Sequence, residues 1–161
     1  MAQRDVRIGL ISDTHGLLRV EALDALRGSD FIVHAGDIGN LDVIEQLSHL
    51  APVTAVRGNN DNGPWASGLH ETEVLNVGEV FIYIIHDLAQ LDVDPVAAGF
   101  HAVVSGHSHR AAITEREGVL YVNPGSAGPR RFSLPVSVGE LAVLGASVRP
   151  RLLTLEVQSA P

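Results

Sequence analysis

Seven side chains able to hold a metal ion fall where apolar runs give way to glycine and polar residues: Asp13, His15, Asp37, Asn59, His86, His107 and His109. Asp13 with His15, and His107 with His109, stand at i, i+2 spacing. In extended backbone that spacing turns both side chains to one face, so each pair forms a two-donor unit. Positions 13, 37 and 59 lie 24 and 22 residues apart, about one strand plus one helix each, and parallel strands would bring all three to one sheet edge. Seven donors with two carboxylates suit two divalent ions better than one, because a single zinc site normally takes three or four protein ligands; one carboxylate must then be shared. The chain has no cysteine, so thiolate sites, disulfides and cysteine nucleophiles are excluded. The oxygen and nitrogen donors point to Mn²⁺, Fe²⁺, Zn²⁺, Ni²⁺ or Co²⁺; the donor set does not rank these ions, and Mn²⁺ is the expectation carried forward. Plainer readings exist for single residues. Asp37 could cap a following helix, Asn59 could be a left-handed turn residue, and His86 could be a satisfied core histidine.

Such donors need elements to position them. Residues 6–12 are nearly all apolar and predict a strand buried on both faces; 17–26 predict an amphipathic helix stopped by Gly28. A strand over 31–34, a helix over 41–50 and a strand over 52–56 complete a βαβαβ start, whose parallel strands end along one edge. The polar segment 58–68 predicts a surface loop. Beyond it the pattern predicts strands over 71–76, 80–85, 102–105, 111–116, 119–122, 136–144 and 148–157, with a short helix near 94–98 and hairpin turns at Gly78, Gly118 and Gly139. About ten strands would strain a single open sheet, so two sheets packed face to face with helices outside are expected.

Composition narrows the function classes. The 161 residues, 45% hydrophobic and 19% charged, predict one domain over 1–161 with enough apolar material for its own core. No run reaches the roughly 18 apolar residues of a membrane span, and Met1–Asp5 leads into a strand without a signal-peptide core, so a cytoplasmic protein without membrane contact is expected. All eleven basic residues are arginine, which excludes lysine Schiff-base chemistry, and a net charge of −8 argues against extended nucleic-acid binding. The turn after the first strand lacks Gly-x-Gly-x-x-Gly, which excludes a Rossmann dinucleotide site.

The ordered blocks Ser12-Asp-Thr-His-Gly16, Gly36-Asp37, Gly58-Asn-Asn-Asp61, His86, Gly106-His-Ser-His109 and Asn123-Pro-Gly-Ser126 resemble the calcineurin-like metallophosphoesterases. Over residues 8–126 the match is to the small single-domain bacterial and archaeal phosphodiesterases. The resemblance implies a four-layer α/β/β/α sandwich of two mixed sheets flanked by helices. It implies that Asp13, His15 and His109 hold one metal, that Asn59, His86 and His107 hold the other, and that Asp37 bridges them. It also implies hydrolysis of small phosphate diesters by a metal-bridging hydroxide, with Asp37, Asn59, Asn60 and His107 at the chemistry. Larger relatives carry Gly-Asn-His-Glu after the third strand; here Asn60 replaces that histidine and can donate a hydrogen bond but not shuttle a proton. A second departure is Asp87, where relatives usually carry glycine after the histidine. The rivals are a phosphomonoesterase or nucleotidase using the same site, and a non-catalytic scaffold like the retromer subunit of this fold. A small phosphoester is the expected partner; homo-oligomers are common in the family, but no apolar stripe here identifies an interface.

Overall fold

The computed structural model describes residues 4–157; residues 1–3 of the polar lead-in and residues 158–161 of the expected domain lie outside the described residues. Strands β1 (Val6–Ile11), β2 (Phe31–His34) and β3 (Val53–Ala55) alternate with helices α1 (Val20–Leu26) and α2 (Leu41–Ser48). Next come β4 (Thr72–Val77), β5 (Val80–Ile85), helix α3 (Pro95–Ala98), β6 (Ala102–Val104), β7 (Ala112–Arg116), β8 (Val119–Asn123), β9 (Ser137–Leu144) and β10 (Ser147–Thr154). They form two mixed five-stranded sheets, ordered β10-β9-β1-β2-β3 and β4-β5-β6-β8-β7. Strands β1, β2 and β3 run parallel in the first sheet, and β5, β6 and β8 run parallel in the second.

Side-chain alternation explains the layering. Ile8, Leu10 and Val33 from one sheet meet Ile82, Ile84 and Val104 from the other in a fully buried seam. Each such side chain contributes roughly 1.5–3 kcal/mol when buried. Ile11 and Ile32 point the other way, under Leu26 of α1 and Val43 and Leu47 of α2. The side chain of Asn40 accepts from the Val43 N–H and so caps α2, and Val43 and Leu47, four residues apart, bury one face of that helix. On the outer face of the second sheet, Tyr83, Val103 and Val119 are covered by Leu88, Leu91 and Phe100. The α/β/β/α sandwich is therefore present, but its second outer layer is thin: a 3-10 turn at Leu88–Gln90 and the four-residue α3. No helix among the described residues is long and apolar enough to cross a membrane.

Several expected boundaries shift. Helix α1 begins at Val20 rather than Leu17, because Leu17 N–H closes a turn onto Thr14 and extended Arg19 reaches the Gly128 carbonyl. Helix α2 ends at Ser48, short of Leu50. The loop after β3 contains a 3-10 turn at Pro64–Ala66, whose Trp65 packs beside α2. Gly78 and Gly118 do lie in hairpin turns at positive φ, but Gly139 does not. Gly139 sits within β9 opposite Leu10 and Leu152, and the β9–β10 hairpin turns at Gly145. At Gly139 the absent side chain makes room for Pro124, a close approach that residue type alone could not distinguish from a turn.

Candidate metal centre

All seven donors emerge at the carboxyl ends of parallel strands. Asp13 and His15 follow β1, Asp37 follows β2, Asn59 follows β3, His86 follows β5, and His107 and His109 follow β6. The first four belong to one sheet and the last three to the other, so the site lies across the seam. Backbone hydrogen bonds join the loops: Asp13 N–H to Gly36, His15 N–H to Asp37, Gly106 N–H to His86 and Ala127 N–H to Ser12. Gly58 is needed for this nesting, since a Cβ there would lie 2.1 Å from the Asp37 nitrogen.

Five of the seven donors have positive φ: Asp13 (56°), His15 (46°), Asp37 (55°), His107 (71°) and His109 (62°). The left-handed region is costly for non-glycine residues and collects at functional sites.

The ligand atoms of Asp13, His15 and His109 lie within 4.8 Å of one another, as do those of Asp13, Asp37 and His86. His109 Nε2 stands 3.4 Å and His15 Nε2 3.9 Å from Asp13 Oδ1, and His15 Nε2 is 3.7 Å from Asp37 Oδ2. These are not hydrogen bonds. Metal bonds of about 2.0–2.2 Å put neighbouring ligand atoms of one ion roughly 3–3.5 Å apart, which is close to this spacing. Asp13 Oδ1 and His15 Nε2 are buried with no hydrogen-bond partner among the described residues, as donor atoms reserved for a cation would be. Asn59 Oδ1 completes a second convergence, 3.0 Å from His86 Nε2 and 3.2 Å from His107 Nδ1. His86 Nδ1 meets the Ala35 carbonyl at 2.7 Å; a neutral ring donating there aims its Nε2 lone pair at another acceptor, and a cation between them resolves the conflict. The residues fit divalent metal ions.

The field agrees. Asp13 is fully buried, which pushes its carboxyl up, while Ser12 donates to its Oδ2 and the neighbouring histidines pull it down; burial wins. Burial also acts on Asp37, but His86, the Asn60 N–H and the charge of His15 outweigh it and hold this carboxylate well below the usual range. His86 is raised: burial opposes its charge, but Asp37, Ala35 and Asp13 overcome that penalty. His109 is lowered, first by burial and then by Arg131 and His15 against the pull of Asp13.

Asn60 lies beside the donors without joining them. Its N–H and Nδ2 donate to the two oxygens of Asp37 at 2.9 and 3.0 Å, which fixes that carboxylate's orientation. The side chain of Asp87 turns aside: Oδ1 accepts from Ala89 N–H, and Oδ2 lies 3.9 Å from His107 Nε2. Two supports were not singled out by their spacing. Asp61, 1% exposed, accepts from the N–H groups of Ile38, Gly39 and Gly58 and pins the second loop to the third. Fully buried His34 accepts from Gly36 N–H on Nδ1, donates from Nε2 to Thr14 Oγ1, and Thr14 donates on to Ile38. Only the run Asn59-Asn60-Asp61, with its turn chemistry, hinted at the first; His34 sits in an ordinary buried strand. The remaining histidines stand apart: His49 ends α2, His70 pairs with Glu73, and His101 accepts from Phe81 N–H.

Residues 6–144 match the family model described as the calcineurin-like phosphoesterase superfamily domain. A probable metallophosphoesterase of Methanothermobacter thermautotrophicus is 36% identical over 139 residues, covering 80% of this chain and 81% of that protein. A phosphodiesterase of Methanocaldococcus jannaschii is 27% identical over 138 residues, covering 74% of this chain and 83% of the relative. Among solved structures, vacuolar protein sorting 29 from Cryptosporidium parvum superposes with a TM-score of 0.80 at 22% identity, covering 96% of this chain and 93% of the other.

Proposed function

Because the chain belongs to the calcineurin-like phosphoesterase superfamily, we propose that this metal-dependent phosphoesterase hydrolyses small phosphate diesters at a dinuclear centre, residues 1–161 acting as one domain. The observation that carries the reading is the convergence of seven donors, five in left-handed backbone, around buried ligand atoms with no other partner. Asp13, His15 and His109 would hold one ion, Asn59, His86 and His107 the other, and Asp37 would stand between them. Bound there, divalent ions supply charge neutralisation at the phosphoryl oxygens and a water ionised near neutral pH.

The chain's own groups do the rest. Asp37 presents a carboxylate held ionised, and Asn60 fixes its rotation through two hydrogen bonds. Ser12 and the His107 N–H occupy Asp13 Oδ2, which leaves Oδ1 as the free ligand atom. The Ala35 carbonyl orients His86. His107, 46% exposed at its side chain, marks the solvent side on which substrate enters, with the Asp87 carboxylate 3.9 Å from its Nε2. The likeness to the phosphodiesterase of Methanocaldococcus jannaschii supports a diester over a monoester, and Asn60, bound to Asp37, cannot protonate the departing group of either.

Hydrolysis of bis(p-nitrophenyl) phosphate and p-nitrophenyl phosphate by chelator-stripped protein, before and after Mn²⁺ is restored, tests this. Metal-restored cleavage favouring the diester is expected, and Asp37→Asn should reduce it by 10² or more. Equal activity of Asp37→Asn, or preference for the monoester, would overturn the reading.

A further inference from the structure

Of the eleven arginines, eight set their guanidinium on a partner among the described residues, six on carboxylates and Arg19 and Arg130 on backbone carbonyls. Arg110, Arg116 and Arg131 have no carboxylate or carbonyl partner there. In a chain of net charge −8, unpaired guanidinium groups are conspicuous, and two of the three line one groove. That groove, about 390 Å³, starts at His107 and Asp87 beside the metal ligands and runs over the outer face of β7 and β8 past Arg110, Thr114, Tyr121 and Arg116.

The groove is polarised. At its mouth the Asp87 carboxylate faces the His107 ring. Thr114 and Tyr121 lie opposite each other in the antiparallel pair, and the Arg116 guanidinium carbon sits 5.2 Å from the Tyr121 ring centroid. Stacking restricts that long side chain while leaving its donors free, so less freedom is lost when an anion binds. Glu115 lines a separate depression with His101 and Val148, so its charge does not neutralise this floor. Arg110 follows His109 directly and stands nearer the cluster.

We infer that this groove is the leaving-group subsite, and that the alcohol released from the phosphodiester carries a second phosphate held by Arg110 and Arg116. The inference rests on the phosphodiesterase reading and names its substrate class. An uncharged alcohol would leave both guanidinium groups unpaired; a phosphate gives them fork-shaped, charge-assisted contacts. Asp87 at the mouth disfavours a second anion lodged close to His107, so the added phosphate lies deeper along β7.

The test uses ribose 5-phosphate, a phosphate-bearing alcohol, with ribose as control. Binding to the chelator-stripped protein is followed by amide and arginine Nε NMR shifts, so neither metal nor turnover enters. Saturable shifts at Arg110, Arg116 and Tyr121 with the phosphate but not with ribose are expected, and R110A/R116A should raise the dissociation constant tenfold or more. With Mn²⁺ restored, ribose 5-phosphate should inhibit bis(p-nitrophenyl) phosphate cleavage with a constant that the double variant raises to the same extent. Absence of saturable binding, or binding undiminished in R110A/R116A, overturns the subsite. Binding to a protein that cleaves no diester with any divalent metal would instead overturn the phosphodiesterase reading, and the leaving-group assignment with it.

Discussion

The donor residues occupy conformations that their side chains alone would not choose. Asp13, His15, Asp37, His107 and His109 carry left-handed backbone at a cost on the order of 1 kcal/mol or more each, and hydrogen bonds from neighbouring loops keep them there. His34 is one such support, and its burial depresses its pKa from 6.5 to about 3, with the nearby His86 charge acting in the same direction. The unfolded chain takes up this proton near pH 6.5 while the folded chain does not, so stability is lost as pH falls through 6.5 towards 3. The slope approaches about 1.4 kcal/mol per pH unit. Urea unfolding of metal-free protein between pH 7 and 4.5 should show this component in the wild type and lose it in His34→Gln. Parallel slopes for the two proteins would refute the role given to His34.

Among the elements, the connections matter more than the strands they join. β1, β2 and β3 only bring three loops to one edge; the loops become a cradle because Asp61 accepts three N–H groups and because Gly58 lets the third loop lie against Asp37. A methyl group at Gly58 would fall 2.1 Å from both the nitrogen and Oδ1 of Asp37, so Gly58→Ala must push this loop outward. The expected cost is roughly 1–3 kcal/mol of stability, and metal affinity should fall about tenfold or more as Asn59 and Asp37 separate. Paired urea unfolding and Mn²⁺ calorimetry measure both. Undiminished affinity would show that the third loop does not set the ligand geometry.

For the whole molecule, the candidate centre joins two sheets that also meet through the apolar seam and through hydrogen bonds between their loops. Four donors come from the first sheet and three from the second, so ions bound here would tie the sheets together. Binding confined to the folded state stabilises it by about 2.7 kcal/mol at a hundredfold excess over Kd, worth roughly 5–10 °C in a chain of this size. Calorimetric scans with Mn²⁺ and with chelator should show that gap. Raising salt to about 0.5 M should leave it largely intact, since buried pairs are poorly screened. A Tm indifferent to metal would show that no ion binds the folded chain preferentially and would count against the metal centre.

The strand-helix alternation, the two-sheet architecture and the donors at each strand end were legible in the sequence, because periodicity, turn residues and ligand chemistry are properties of neighbouring positions. Tertiary structure decided the rest. It moved the last hairpin turn from Gly139 to Gly145, started α1 at Val20, and made His34 and Asp61 supports of loops far away in the chain. It also left Arg110 and Arg116 without a carboxylate or carbonyl partner among the described residues while most other arginines found one. Burial, left-handed strain and ion pairing depend on residues far apart in the chain meeting in space, and no local pattern of residue types records those meetings.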